Sequence, residues 1–282
     1  MPIALVTGTS TGIGQATAIS LARTGHVVHA AMRDLAAAGE LEAAATAEGL
    51  DIRPIRMDVD DDASVADAVA AVGPIDVLVN NAGIGGAGSI EETPLSLFRG
   101  VMETNFFGLL RCTQAVIPQM RERRSGLIVN ISSVAGRLAM APQASYAASK
   151  FAVEALSECL AQEMKPFGVR VALIEPGIIL TPIMGKGRPP PPDTPYPNTR
   201  RFVAIFTAAM PNASSPFVVG DLIAEIAAGD SHQLRYRVGC LADEIVSWRE
   251  RLSDADYIAA CSGSDAEFAA AVKAGLGLDV RL

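Results

Sequence analysis

Ile3-Ala4-Leu5-Val6-Thr7-Gly8-Thr9-Ser10-Thr11-Gly12-Ile13-Gly14 is an apolar run that ends on a glycine-rich turn and passes straight into a helical pattern, Ile13 to Arg23. A strand, a turn and a helix in that order leave unpaired helix amides at the strand's end, where the helix dipole favours an anion. Glycine at these places lets the backbone turn tightly and lets a pyrophosphate come close. Gly8, Ser10, Thr11, Gly12, Ile13 and Gly14 therefore read as a dinucleotide-binding turn, because the motif sits between a strand and a helix.

The same alternation continues along the chain and predicts β-α-β units around a parallel sheet. The strands expected are Ile3 to Thr7, Val27 to Ala31, Ile52 to Met57, Ile75 to Asn80, Leu127 to Ser132, Val169 to Ile174 and Leu234 to Val238. Helices are expected near Ile13 to Arg23, Ala36 to Ala47, Ala63 to Ala71, Pro94 to Arg123 and Ser145 to Lys165. This is an α/β fold, a doubly wound Rossmann-type parallel sheet of about seven strands with helices on both faces. A chain of 282 residues suits one domain, 1–282.

Two segments decorate it. Pro189 to Pro192, with Pro195 and Pro197, forbid helix and sheet interior. Apolar Phe202 to Met210 follows as a short helix. Residues 183–217 are read as a mobile lid over an apolar pocket, the alternative being a linker packed permanently on the core. Residues 241–282 form a helical C-terminal extension, with Gly275 to Asp279 frayed.

Composition excludes several classes. A net charge of -8 opposes a nucleic-acid partner, which needs a positive face. Cys112, Cys159, Cys240 and Cys261 form no Cys-x-x-Cys pair, so neither a metal site nor a disulfide framework is indicated. His26, His29 and His232 have no ligand-like spacing around them and are read as structural. No apolar run is long enough for a membrane span, and the residues before Ile3 leave no room for a secretion signal. A cytoplasmic protein is expected.

Tyr146-Ala-Ala-Ser-Lys150 carries the candidate chemistry. On a helix the phenol and the ammonium stand one turn apart on one face. Lowering a phenol pKa from roughly 10 by about 3 units takes about 4 kcal/mol, much of which a fixed cation supplies. Ser133, at the end of Leu127 to Ile131, brings a hydroxyl to the rim of the sheet, where ligands bind in open α/β sheets. At the end of the second strand Arg33 replaces the acidic residue that would hold an NAD ribose, which favours NADP(H), with NAD(H) possible. Asp34 either pairs with Arg33 or caps a helix. Asp58-Val59 closes the third strand, where a carboxylate accepts from an adenine amino group, and Asn80-Asn81-Ala82-Gly83 closes the fourth against the ribose.

Together these residues resemble the short-chain dehydrogenase/reductase family over about Ile3 to Thr181. The resemblance rests on Thr7 to Gly14, Asp58, Asn80 to Gly83, Asn105, Ser133, Tyr146, Lys150 and Pro176-Gly177 with Thr181. It implies that Tyr146 is the general acid/base and that Ser133 polarises the substrate oxygen. Lys150 then lowers the tyrosine pKa and binds the nicotinamide ribose, and Asn105 holds a water of a proton relay. Pro176, Gly177, Ile179 and Thr181 would flank and hold the nicotinamide, and Asp58, Val59, Asn80, Ala82 and Gly83 the adenosine half. Arg33-Asp34-Leu35 and Leu234 to Arg237 are similar to the 17β-hydroxysteroid and retinol dehydrogenase branch, which implies a steroid- or retinoid-like substrate.

The expected activity is hydride transfer between NADP(H) and a bulky hydrophobic secondary alcohol or ketone. A lyase or epimerase using the same nucleotide is disfavoured by the glycine spacing. A nucleotide-binding regulator without turnover has no need of Tyr146 and Lys150. The resemblance also implies self-association through the helices carrying Asn105 and Tyr146.

Overall fold

Seven parallel strands lie in the order β3-β2-β1-β4-β5-β6-β7 in the computed structural model, which describes residues 1–185 and 193–282. They are β1 (Ile3–Thr7), β2 (Val27–Met32), β3 (Ile52–Arg56), β4 (Val77–Asn80), β5 (Gly126–Ile131), β6 (Val169–Pro176) and β7 (Arg235–Val238). Each lies within two residues of its expected bounds at either end. The crossovers are α1 (Gly12–Arg23), α2 (Gly39–Glu48), α3 (Asp62–Val72), α4 (Leu95–Met102), α5 (Leu109–Arg123), α6 (Ala144–Met164), α7 (Asn198–Ala209) and α8 (Phe217–Ala228). After β7 come α9 (Ala242–Glu250), α10 (Asp254–Ser262) and α11 (Asp265–Leu276). Strand order reverses at β1, so the crevice between the ends of β1 and β4 is the place where such a sheet receives a ligand.

Period-2 alternation divides the strands' side chains between two apolar layers. In β1, Ala4 and Val6 face a layer with Leu21 of α1, Leu41 of α2 and Ile223 of α8. Leu5 faces the other, with Val65 of α3, Val116 of α5 and Leu160 of α6. A fully buried leucine such as Leu5 contributes about 2 kcal/mol. The apolar run Val218 to Ala224 gives no periodic signal, yet it builds α8, which lies directly on α1. A β-carbon at Gly220 would stand 2.8 Å from Ala16 O, so glycine there permits the close approach.

A third cluster lies beyond the C-terminal edge of the sheet: Leu138, Ile205 of α7, Trp248 of α9, Tyr257 of α10 and Phe268, Val272 and Leu276 of α11. The C-terminal helices thus cover the segment that leaves Ser133, and Tyr257 Oη donates to Ala139 O at 3.0 Å. Gly275, expected to fray, is inside α11 with Trp248 against its Cα face. Gly277 caps that helix in the left-handed region at φ 71°, and Lys273 pairs with Asp279 at 2.7 Å. The proline run Pro189 to Pro192 lies outside the described residues. Within the described residues no helix is long and apolar enough to cross a membrane.

Candidate active site

The glycine turn is fastened from three sides. Thr7 Oγ1 accepts the amides of Asn81 and Ala82 at 3.0 and 2.9 Å. Thr9 donates its amide and its hydroxyl to Ala31 O at the end of β2, both at 3.1 Å. Asn81 Nδ2 donates to Thr7 O and Gly8 O at 2.8 and 3.1 Å. Gly8 takes φ 70° and a β-carbon on it would lie 2.8 Å from Ala82 Cα. At Gly14 a β-carbon would stand 2.3 Å from Gly8 O. Thr11 is the N-cap of α1, yet its side chain caps no amide. The first amides of a twelve-residue helix are therefore left for an anion beside Ser10, Gly12 and Ile13, a cradle that fits a pyrophosphate. Thr181 closes it from the other side, 3.2 Å from where a Gly12 β-carbon would be.

Asn80 points elsewhere. Its Nδ2 donates to Thr113 Oγ1 and Asn130 Oδ1, both at 2.9 Å, inside the layer between β4, β5 and α5. Only its backbone faces the crevice, because side chains at successive strand positions alternate. Asn81, which the sequence reading passed over, is the asparagine that grips the turn. The signal was present: of two adjacent asparagines at a strand's tip, one must face each way.

At the end of β2, Asp34 accepts Ala36 N at 2.9 Å and caps the short turn Leu35–Ala38. That decides between its two readings. Among the described residues Arg33 forms no salt bridge, and it is exposed. Asp58 accepts Asp60 N at 3.2 Å, and buried Val59 packs against Gly108. Ala82 and Gly83 follow β4, and a β-carbon on Gly83 would meet Asn105 Oδ1 at 3.3 Å.

The expected long helix from Pro94 to Arg123 is interrupted. Glu103–Gly108 form a π turn between α4 and α5, and Asn105 lies in it. Such turns open the helical ladder and gather at functional positions. Asn105 Oδ1 accepts Ile84 N at 2.8 Å, while Nδ2 donates to Ile84 O and Ser149 Oγ, both at 3.0 Å. Ser149 in turn donates to Tyr146 O at 2.7 Å. One side chain thus joins the loop after β4 to the helix that carries Tyr146 and Lys150.

Ser133 leaves β5 with φ -172° and caps the turn Val134–Gly136, accepting Ala135 N at 3.1 Å. Tyr146 and Lys150 stand on one face of α6, with Lys150 Nζ 5.6 Å from the centre of the Tyr146 ring. Burial pushes the Tyr146 phenol upward, and the neighbouring Ser133 hydroxyl offsets part of that rise. The ammonium donates to Ile131 O at 2.8 Å, away from the phenolic oxygen. Burial also pushes Lys150 down, to about 8, and the Glu154 charge opposes that push.

Pro176 ends β6. Gly177 passes beneath Cys240 O, which a β-carbon would meet at 2.2 Å. Ile178 bridges Cys240 and Ile179 bridges Ser214, which aims the chain from β6 to Thr181 at the glycine turn.

The fold and this arrangement define a dinucleotide-binding protein of the Rossmann type, and residues 2–191 match the short chain dehydrogenase family model. The chain belongs to the short-chain dehydrogenase/reductase family. It is 43% identical over 188 residues to retinol dehydrogenase 8 of Bos taurus, covering 64% of this chain and 60% of that protein. It is 36% identical to the uncharacterized oxidoreductase YusZ of Bacillus subtilis (84% of this chain, 89% of that protein). To 17-beta-hydroxysteroid dehydrogenase type 1 of Mus musculus it is 41% identical, over 64% of this chain and 54% of that protein. The matched region thus spans under two thirds of the retinol and steroid dehydrogenases.

Among solved structures, a short-chain dehydrogenase from Streptomyces avermitilis superposes with TM-score 0.78 at 33% identity, over 92% of this chain and 96% of that one. An actinorhodin polyketide ketoreductase with NADPH gives 0.74 at 29% (84% and 95%). A relative from Burkholderia phymatum with NAD gives 0.77 at 26% (88% and 92%).

Proposed function

We propose that this chain interconverts a bulky, hydrophobic secondary alcohol and its ketone, of steroid or retinoid type, using NADP(H). The observation that carries the reading is the convergence of Ser133, Tyr146 and Lys150 at the end of β5, beside the open amides of α1. When bound, the nicotinamide supplies the carbon that gives or takes the hydride. Tyr146 gives its proton to the substrate oxygen in reduction and takes it back in oxidation. Ser133 holds that oxygen, Lys150 holds the ribose, and Asn105 orders a water for proton exchange. The raised phenol is the protonated form that ketone reduction consumes. A test follows label from the nicotinamide C4 across a panel from short ketones to steroids and retinoids. Net transfer to a released alcohol is expected, and its absence for every ketone would leave the regulator reading standing.

NADP(H) is favoured by Arg33, free of ion pairs among the described residues, with Asp34 engaged in its cap. Arg33→Ala is expected to raise the NADPH Michaelis constant roughly ten- to hundredfold, as befits a charge-assisted contact, and the NADH constant little. Equal losses with both cofactors would remove the assignment.

Self-association is supported by apolar side chains on the outer faces of the π turn and α6, where Phe107 and Phe151 are 44% and 45% exposed. Leu110, Ala152, Ala155 and Leu156 continue this face. A two-fold pairing of these helices is expected, and light scattering at micromolar concentration should give at least twice 29.3 kDa.

The substrate cover is built from α7 and the residues before it. Thr194 donates to Glu92 at 2.9 Å and Tyr196 to Glu91, while Arg201 is fixed to Asp265. These are the contacts that a lid formed by this stretch would break on opening.

A further inference from the structure

Ser133 and Lys150 stand on two different elements, and one side chain outside the family motifs joins them. Glu154 lies one turn beyond Lys150 on α6 and is 6% exposed. Its Oε1 accepts the hydroxyl of Ser132, the residue before Ser133, at 2.5 Å. Its Oε2 accepts Arg235 Nε of β7 at 2.9 Å. Arg235 also faces Glu175 at 3.2 Å and pairs with Glu158 on α6. Glu175, wholly buried near the end of β6, meets Arg237 at 3.3 Å and Arg137 at 3.5 Å. Buried ion pairs are no more stabilising than well-packed apolar groups of the same size, so stability alone does not account for a carboxylate between Ser132 and Lys150.

We infer that Glu154 is a positioning residue whose carboxylate is the fixed counter-charge of Lys150 and whose bond to Ser132 sets the end of β5 from which Ser133 projects. The inference rests on the roles given above to Ser133 and Lys150. The Lys150 ammonium is buried and spends one hydrogen bond on Ile131 O. Glu154 opposes the downward push of burial on it. Around Glu154 stand Ser132 just after β5, Glu175 from β6, Arg235 from β7 and, one turn away on its own helix, Lys150 and Glu158. Lys150 donates to the carbonyl of Ile131, the residue before Ser132, and its Nζ lies 5.6 Å from the centre of the Tyr146 ring. Burial and Glu175 push its pKa up, whereas Ser132 and Arg235 hold it down. The net push is upward, and Arg235, which reaches both Glu154 and Glu158, is the cation that opposes it.

The test reads Lys150 directly. The chain has four lysines, Lys150, Lys165, Lys186 and Lys273, so selective ¹³C-lysine labelling gives four Cε resonances, with Lys150 assigned from its loss in Lys150→Arg. Glu154→Gln keeps the shape and the Ser132 contact but removes the charge. The Lys150 titration is expected to move down by about one unit, the effect of one close opposite charge. Glu154→Asp, which keeps the charge, should hold the curve within about 0.3 unit of wild type. In ketone reduction the alkaline limb of kcat should move down with Lys150 while KM stays within about twofold. An unmoved Lys150 curve in Glu154→Gln overturns the inference. Where that variant does not fold, wild type decides: the Lys150 resonance should follow a second step as Glu154 takes its proton, and a single-step curve overturns it. The titration needs no substrate, so it stands or falls separately from the proposed reaction.

Discussion

Tyr146→Phe is expected to lower the rate of hydride transfer by about 10²- to 10⁴-fold while NADPH binding changes by less than about twofold. The variant removes one oxygen and nothing else. That oxygen gives the proton without which the substrate oxygen would leave as an alkoxide. On the proposed reading the cofactor is held by other groups: the open amides of α1, Arg33 and Lys150. Among the described residues the phenolic oxygen ties no other element in place, and Ser133 acts on it only by easing its titration, so folding stability should change little. Single-turnover kinetics at saturating cofactor, with fluorescence titration of NADPH, separate the two quantities. A variant keeping more than about a tenth of the wild-type rate contradicts the acid/base role, because a positioned proton donor contributes at least tenfold more than that.

The elements that were legible are those whose signal is local. The inner strands β1, β2, β4, β5 and β6 are short, largely apolar runs bounded by turn residues, and parallel strands covered on both faces need no more than that, whereas the edge strands β3 and β7 carry arginines. The glycine turn was legible because Gly8, Gly12 and Gly14 fall between a strand and a helix. The helix α8 was not, since Val218-Val219-Gly220-Asp221-Leu222-Ile223-Ala224 is apolar on every side and lacks a 3.6-residue stripe. The π turn at Glu103–Gly108 was invisible because no side-chain pattern distinguishes one extra residue per turn from an ordinary helix. Reading Asn80 as a cofactor contact mistook which of two neighbours faces the crevice. The ladder of Ser132, Glu154, Arg235 and Glu175 is spread over four elements, so only the sheet order brings it together. The upward push of burial on Tyr146 was not legible either: spacing reveals adjacency, whereas desolvation depends on everything packed around a group.

Arg201→Ala is expected to cost about 3 kcal/mol of stability and to weaken selection for bulky substrates. Arg201 is 5% exposed on the inner face of α7. Its Nε and Nη2 donate to Asp265 Oδ1 at 3.0 and 2.9 Å, Nη2 also to Gly263 O at 2.7 Å, and Nη1 to Cys261 O at 3.3 Å. The guanidinium lies 5.2 Å from the centre of the Phe268 ring. Hydrogen bonds to a charged group are worth about 1.5 to 3 kcal/mol each at most, and Asp265 keeps access to water, so the sum is discounted to the figure given. The loss should appear as a lower urea midpoint with an unchanged slope. Arg200 and Arg201 hold the Asp265 carboxyl below its usual range. Its share of stability is therefore present above the ordinary carboxylate pKa and is lost as pH falls through the depressed value, so the gap between wild type and variant should narrow in acid to what the bonds to Cys261 O and Gly263 O supply. Function separates fastening from mere stability. Ile205 of α7 packs in the cluster that includes Leu138, on the segment leading from Ser133, so loosening α7 opens the substrate side and leaves the cofactor side intact. For a steroid-sized ketone, kcat/KM should fall at least about tenfold through KM, because the apolar surface it buries is worth about 25 cal/mol per Å². Short ketones, which bury little, should react at near the wild-type rate. Equal losses for small and large ketones would show that α7 holds up the whole site and selects nothing.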